Sequence, residues 1–264
     1  YDVTIDRILD LRDQVTCAAF DIAAPALACP WKQILLIEKA EPPTWRSSNI
    51  QLLFGNQYEL GPATRESITI EHASSWRYGE SFFFSNIFNR RDEGTEFYAE
   101  FYPRISWKAV NGTSPSLPLL DDLSLVAGLN IGNLPRKDPF RAYLLGAGLK
   151  FKAPAMDYLK LDIMAFKSDK LNTTGVQVSP IWAMTFNLGR SRFLFKGFID
   201  WQSADATGGE ALWLAQPQIL LDMGHYWGHK NQLYVGMEYS YWYNKFGIDG
   251  VIEKVPQAMI LVPF

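Results

Sequence analysis

The chain has 264 residues and a formal net charge of −3, so no strongly basic surface argues for nucleic-acid binding. Aromatic residues make up 14% and charged residues 20%, below the soluble level of about 25%, yet the mean hydropathy is close to zero. The most apolar stretch, residues 117–131, is interrupted by Pro118, Asp121 and Asp122, so the sequence predicts no membrane-spanning helix.

Residues 1–44 differ from the rest of the chain. Both cysteines, Cys17 and Cys29, lie here and flank a run of small residues. The run ends in Ala26-Leu27-Ala28, which has the form of a signal-peptidase site and is followed by a cysteine, as in lipoproteins. We interpret the segment as a leader, a plug-like or periplasmic extension, or a start that is not native to the rest. Its end is marked by the consecutive prolines Pro42 and Pro43.

From Trp45 onward, apolar and polar side chains alternate with the period of two that predicts strands. The clearest strand spans 96–109, where Phe97, Phe101, Ile105 and Trp107 share one face. The same alternation predicts further strands at 123–131, 143–152, 159–165, 193–202, 213–223 and 233–241. Weaker strands are predicted at 49–58, 65–74, 78–88 and 176–188, and the last at 254–264. The total is about twelve, an even number as in bacterial membrane barrels.

These patterns predict an all-β protein, a transmembrane antiparallel up-and-down β-barrel over residues 45–264 with a non-barrel segment at 1–44. Ala258, Ile260, Val262 and Phe264 share one face of the final strand, and a terminal aromatic is the form that the outer-membrane assembly machinery recognises. We therefore expect a bacterial outer-membrane location, with membrane lipid and, through Phe264, the barrel assembly machinery as partners.

Two further patterns concern the rims of the barrel. Aromatic residues at strand ends are typical of interfacial girdles; they are Trp107, Tyr143, Phe151, Trp201, Trp213 and Tyr241. Tight turns are predicted at 153–155, 187–191 and 229–231, and longer polar loops at 90–94, 204–209 and 244–253. We expect the tight turns at one rim and the longer loops at the other.

The predicted inward face is polar and aromatic. Its candidate solute-binding residues are Tyr98, Glu100, Tyr102, Arg104, Lys108, Lys196, Asp200, Gln216, Gln218, Asp222, Glu238 and Trp242. Charges of both signs argue against strong selection of anions or cations, whereas aromatic rings beside amides suit a neutral ring with hydroxyls, such as a nucleoside. The same side chains would also fill a plugged, structural barrel. No metal site, cofactor or nucleic-acid partner is predicted.

An enzymatic alternative rests on His72 and Ser74, which are two residues apart on one strand face. That spacing resembles the His-x-Ser of outer-membrane phospholipase A. In that family Asn and Gly follow the serine, whereas Ser75 and Trp76 follow here, and no third group is evident to orient a base. The sequence therefore favours a protein that is not an enzyme.

Four motifs resemble the Tsx-like, nucleoside-specific channel-forming outer-membrane proteins. They are Trp76–Phe84, Glu100–Ser106, Gly197–Trp201 and Glu238–Lys245. The resemblance covers Trp45–Phe264 and implies a monomeric twelve-stranded barrel with a narrow pore and passive nucleoside uptake through weak binding sites. It places Glu100, Arg104, Asp200 and Glu238 at motif positions that face the lumen.

Overall fold

The computed structural model of the protein describes residues 45–89, 94–133 and 138–264. Predictions for residues 1–44, and for most of the loop 90–94, lie outside the described residues. Thirteen strand segments form one antiparallel sheet. They are β1 (Arg46–Asn56), β2 (Thr64–Trp76), β3 (Gly79–Asn89), β4 (Thr95–Ser106), β5 (Leu120–Asn133), β6 (Phe140–Phe151), β7 (Tyr158–Ser168), β8 (Gly175–Leu188), β9 (Ser191–Gln202), β10 (Leu212–Ala215), β11 (Gln218–Asp222), β12 (Tyr234–Tyr243) and β13 (Glu253–Pro263).

The segments β10 and β11 are two halves of one strand. Both pair with β9 and β12, and the register continues across the break. Gln216 N donates to Phe198 O at 3.0 Å, and Tyr239 N donates to Pro217 O at 2.9 Å. The break falls at Pro217 because proline has no N–H to donate to the neighbouring strand. The sheet therefore has twelve strand positions, and the predicted number is confirmed.

The sheet closes on itself through the first and last strands. β1 pairs with β2 on one side and with β13 on the other, from Asn49↔Pro263 to Gly55↔Gln257. Phe264 N adds a hydrogen bond to Ser48 O at 3.0 Å. Closure leaves no unpaired strand edge. The predicted antiparallel up-and-down barrel is confirmed.

Successive connections alternate between two ends of the barrel. End A carries Trp45, Phe264, the turns 77–78 and 189–190, and the connections 107–119, 152–157 and 223–233. End B carries the connections 57–63, 169–174, 203–211 and 244–252, together with the strand ends Asn89, Thr95, Asn133 and Phe140. Short helices lie in four of these connections: α1 (Trp107–Asn111), α2 (Ala204–Thr207) and the 3-10 helices Met223–Trp227 and Lys245–Gly247.

The predicted division of loop lengths between the rims is wrong in part. The three expected tight turns all lie at end A, but so does the long connection 107–119, and 229–231 is part of the longer connection 223–233. The cause is the Asp222 carboxylate, which caps the 3-10 helix by accepting from His225 N at 3.1 Å and also accepts from Asn231 N at 3.1 Å. These bonds fold the connection into a compact loop over end A.

The expectation that the strand 96–109 continues to Ala109 is also wrong. β4 ends at Ser106, whose hydroxyl accepts from Ala109 N at 3.0 Å and thereby caps α1. Lys108 consequently leaves the barrel wall. It is about half exposed at end A, where its ammonium lies 2.8 Å from Asp121 Oδ1.

The outward face is an apolar belt, as the alternation predicted. Large apolar side chains along mid-strand positions are substantially exposed, for example Leu145 at 58% and Phe101 at 44%. Outward-facing charges in the described strands lie only near strand ends; they are Arg46, Glu66, Asp121, Arg141, Lys167 and Lys254. Among the helices of the described segments, none has the length and apolar character that crossing a bilayer requires.

Aromatic residues border this belt at both ends. Trp107 near end A and Tyr143 and Trp213 near end B are each about half exposed. At end B, Trp201, Trp213 and Tyr243 are aligned across three adjacent strands. This arrangement matches the girdles expected from the sequence.

The belt gives a direct test. Leu145 lies in the middle of β6 and Leu119 in an end A connection, and both are exposed. We expect Leu145→Arg to lower the free energy of unfolding in lipid by about 2–4 kcal/mol, because a cation is costly at the bilayer midplane. Leu119→Arg should change it by less than about 0.5 kcal/mol. Urea titration of barrels in vesicles measures both, and equal effects would contradict a lipid-facing belt.

Candidate functional site

The inward face brings most of the predicted lumen residues into one enclosed space. β4 contributes Tyr98, Glu100, Tyr102 and Arg104, while β9 contributes Lys196 and Asp200. Gln218 on β11 and Glu238 on β12 are neighbours in register. All of these side chains are buried or half-buried.

One ion pair in the lumen is held at two points. The Arg104 guanidinium donates to both Asp162 carboxylate oxygens, at 3.0 and 2.9 Å, and its Nε lies 3.4 Å from Glu80. Arg104 is 7% and Asp162 2% exposed. Gly148 provides the space, because a Cβ there would lie 2.7 Å from Asp162 Oδ1. The fork geometry fixes both side chains against the wall.

A second ion pair joins nearly opposite walls. Lys196 Nζ on β9 donates to both oxygens of Glu71 on β2, at 2.9 and 3.0 Å. Around the closed sheet, four strands separate β2 from β9 on one side and six on the other. The amides of Asn49 and Gln51 also donate to Glu71, at 3.2 and 3.1 Å. This bridge therefore crosses the lumen.

A third ion pair lies beside these two. Lys160 on β7 pairs with Glu80 on β3, which is also the second partner of Arg104. Together the three pairs use six side chains from five strands: Glu71, Glu80, Arg104, Lys160, Asp162 and Lys196. We call this set the ion-pair layer.

Toward end B lies a group of tyrosine, amide and carboxyl side chains. Tyr98 donates to Glu100, and Asn130 Nδ2 donates to Glu100 at 3.1 Å. Tyr102 donates to Asn130 Oδ1 at 3.0 Å. Gly128 leaves room for the Tyr102 ring, since a Cβ there would lie 2.6 Å from that ring. Donors and acceptors thus alternate along the group.

Aromatic rings extend this group along the inward face. The Tyr98 ring centroid lies 5.9 Å from that of Phe84 and 6.1 Å from that of Phe140. The rings are tilted relative to one another, with Glu100 beside them. Flat aromatic surface beside hydrogen-bonding groups is the combination that binds a planar polar ring.

Among the described residues, Asp200 and Glu238 also face the lumen without forming an ion pair. Asp200 accepts from the Ser179 hydroxyl. Glu238 accepts from Gln218 Nε2 at 2.7 Å and from Gln257 Nε2 at 2.8 Å. We refer to Glu100, Asp200 and Glu238 as the carboxyl set. Glu100 is four residues from Arg104, Asp200 is four residues from Lys196, and Glu238 is two strand pairings from Lys196. Among the described residues each nevertheless accepts hydrogen bonds only from neutral groups.

Part of the inward face is apolar. One buried cluster packs around Val126, Leu144, Met164 and Phe166, against Tyr102. A second consists of Leu53, Leu220, Tyr234, Met259 and Leu261. These side chains fill the lumen on either side of the polar residues, which narrows the polar path that the sequence predicted.

The end B mouth is lined by a cationic and aromatic group. Trp242 packs edge-on against Phe246 at 4.7 Å, and Lys245 Nζ lies 4.7 Å from the Trp242 ring. Lys245 also pairs with Glu253 at 2.6 Å. Burial lowers the pKa of Lys245, although Glu253 opposes the shift. The pairing holds this connection against the mouth.

The remaining predicted residues are placed apart from this group. Gln216 is inward but reaches only Ser240, at 3.5 Å. Asp222 is fully buried at end A, where it pairs with Arg192 at 2.8 Å and caps the loop. Lys108 lies outside the wall, as described above. Asp222 therefore has a structural role that the sequence pattern did not indicate.

The residues of the enzymatic alternative face outward. His72 Nδ1 lies 2.8 Å from Ser48 Oγ, and Ser74 Oγ lies 3.3 Å from Ser81 Oγ. His72 and Ser74 thus have other hydrogen-bond partners. No group of three or more His, Cys, Asp or Glu with metal-binding geometry occurs in the described ranges.

Several lumen residues were missed from the sequence. They are Gln51, Glu71, Glu80, Phe84, Asn130, Phe140 and Gln257. A signal existed for Glu71, because Ser67, Thr69 and Glu71 alternate with Ile68 and Ile70. The weak alternation of β3 concealed Glu80, since phenylalanines occupy both of its faces.

Comparisons with known proteins give distant structural likenesses. No family model matches the chain, and no curated protein matches it. A KdgM porin in complex with disordered oligogalacturonate is similar at a TM-score of 0.47 and 7% identity, covering 82% of this chain and 99% of that one. The translocator domain of autotransporter NalP from Neisseria meningitidis follows at 0.37 and 11%, covering 83% and 87%. Neither likeness bears on what passes through this barrel, and the resemblance to Tsx-like proteins rests on the motifs alone.

The Arg104–Asp162 pair predicts a specific loss of stability. We expect Asp162→Asn to lower the free energy of unfolding by about 3 kcal/mol, because it leaves a buried cation with only Glu80 to compensate it. The double variant Arg104→Met with Asp162→Leu should recover most of that loss, since no buried charge remains unpaired. Urea unfolding in detergent, followed by tryptophan fluorescence, measures both. Wild-type stability in Asp162→Asn would contradict this assignment.

Proposed function

We propose that this protein is an outer-membrane channel for the passive uptake of small polar solutes, and that nucleosides are its preferred solutes. The observation that carries the proposal is a closed barrel with an apolar exterior and an inward face that places aromatic rings beside carboxyl and amide groups. An apolar exterior is what lipid requires, and a polar interior is what a hydrated solute requires.

The Tyr98 group supports nucleosides among polar solutes. A base could stack on the rings of Phe84, Tyr98 and Phe140, while Glu100 and Asn130 supply an acceptor and a donor for its edge or for ribose hydroxyls. Stacking of a base on an aromatic side chain contributes about 1–3 kcal/mol, enough to bind a solute weakly and release it. The chain acts as a monomer in this proposal, is not an enzyme, and is assembled through its Phe264 end.

A structural barrel with a filled lumen is the second candidate. Two features favour it. The ion-pair layer links the walls to one another, and the two inward apolar clusters occupy the space between them. In the channel proposal the Lys196–Glu71 bridge opens transiently, whereas in a structural barrel it stays closed. Solute flux separates the two.

The test uses the purified full chain in liposomes. We expect labelled uridine to enter faster than into empty vesicles, and faster than a hexose of similar size. Influx equal to that of empty vesicles would contradict the channel and leave the filled barrel. Lipid hydrolysis measured in the same vesicles should stay at the empty-vesicle level; hydrolysis that Ser74→Ala abolished would favour the enzymatic alternative.

A matched pair of variants tests the nucleoside site. Tyr98→Leu removes an inward ring, and we expect it to reduce uridine influx severalfold while hexose influx stays unchanged, because stacking is lost. Tyr143→Leu removes an outward ring from the end B girdle and should leave both rates unchanged. Equal uridine influx in Tyr98→Leu and the wild type would show that the Tyr98 group does not select nucleosides.

A further inference from the structure

The inward charges do not balance once their partners are assigned. The cations of the ion-pair layer are each matched by a carboxylate: Arg104 by Asp162, Lys160 by Glu80 and Lys196 by Glu71. Toward the two ends, Arg192 pairs with Asp222 and Lys245 with Glu253, and two weaker pairs join Arg65 to Glu96 and Lys150 to Asp121. Mixed charge in the sequence predicted little ion selection, but the pairing uses up the positive charges.

The carboxyl set remains, together with Asp122 near end A, which accepts from the Ser106 hydroxyl at 2.5 Å. Within the parts of the chain that the structure describes, neither Glu100, Asp200 nor Glu238 forms an ion pair with Lys, Arg or His. Their hydrogen bonds come only from neutral groups, namely Tyr98, Asn130, Ser179, Gln218 and Gln257. Glu100 and Glu238 are 9% and 6% exposed. The lumen therefore holds more carboxyl groups than cationic side chains.

A separate observation points to a ligand at one member of the set. Gln218 is 7% exposed, and its Oε1 has no hydrogen-bond donor among the described residues. The Nε2 of the same amide donates to Glu238 at 2.7 Å and to Gln51 Oε1 at 3.4 Å. A buried acceptor without a donor has a cost in free energy. A donor from a bound ligand would remove that cost at the Gln218 oxygen.

The chemistry of that donor follows from its neighbours. Glu238 offers a carboxylate beside the unpartnered Gln218 oxygen, and both groups accept hydrogen bonds. A primary ammonium has three donors, no acceptor and a compact positive charge. It can bond to both oxygens at once and neutralise Glu238, which a neutral or anionic group cannot do.

We infer that the lumen selects cations over anions, with the carboxyl set as its filter and with Glu238 and Gln218 binding the ammonium group of a small organic cation. The inference rests on the proposed channel function and goes beyond its nucleoside site, because it adds small organic cations as a second class of solute. Rings or clusters of Asp and Glu are a known physical basis for cation selection in pores. Chloride is repelled by the same charges.

The experiment is a reversal-potential measurement on the purified full chain in a planar bilayer. A gradient of methylammonium chloride in mildly alkaline buffer keeps methylammonium cationic and favours ionised carboxyls. We expect a reversal potential close to the methylammonium equilibrium value. Conducting channels with a reversal potential near zero or near the chloride value would overturn the inference alone, whereas no conductance would overturn the proposed channel function and this inference with it.

Isosteric variants locate the filter. Glu238→Gln should move the reversal potential toward zero, and Asp200→Asn provides a second lumen variant if Glu238→Gln does not assemble. Glu66→Gln removes the same charge from the outward face near end B and should leave the reversal potential unchanged. Unchanged selectivity in folded Glu238→Gln and Asp200→Asn, or an equal shift in Glu66→Gln, would contradict the carboxyl set as the filter.

Discussion

The pairing of β1 with β13 is the interaction on which the rest of the structure depends. It turns a long antiparallel sheet into a barrel without edges, so every strand acquires one face toward the lumen and one toward the surroundings. Since side chains alternate along a strand, closure then separates an apolar exterior from a polar interior. Pro263 is compatible with this pairing because it lies at the last position of β13, and Phe264 N completes the ladder to Ser48.

Closure also determines what the inward charges can do. Inside a narrow lumen, a cationic side chain on the opposite wall can reach a carboxylate. Charged residues that are far apart in sequence therefore become partners. Lys196 and Glu71 are the clearest case, because they come from strands on nearly opposite sides of the barrel. The bridge joins two walls across the lumen, and the uneven pairing leaves the carboxyl set without a cationic partner among the described residues.

The sequence was sufficient for the strands and their faces, and insufficient for their partners. Period-two alternation depends only on neighbouring residues, so all twelve strand positions and the outward face of Leu145 could be predicted. The match between Glu71 and Lys196 depends on register accumulated over several strand pairings, which no local pattern encodes. The position of Lys108 was predicted wrongly for a local reason. The alternation of apolar and polar residues continues past Ser106 to Trp107, although the Ser106 cap ends β4 and begins a helix there.

In the proposed channel, the ion pair between Lys196 and Glu71, rather than the barrel wall, limits passage. Single-channel conductance of Glu71→Gln combined with Lys196→Met tests it directly, because this variant removes the bridge and leaves no unpaired charge. Glu66→Gln with Lys167→Met is the matched control, since both residues face outward near end B. We expect a larger conductance for Glu71→Gln with Lys196→Met, and wild-type conductance for Glu66→Gln with Lys167→Met. Wild-type conductance in the first variant would contradict it.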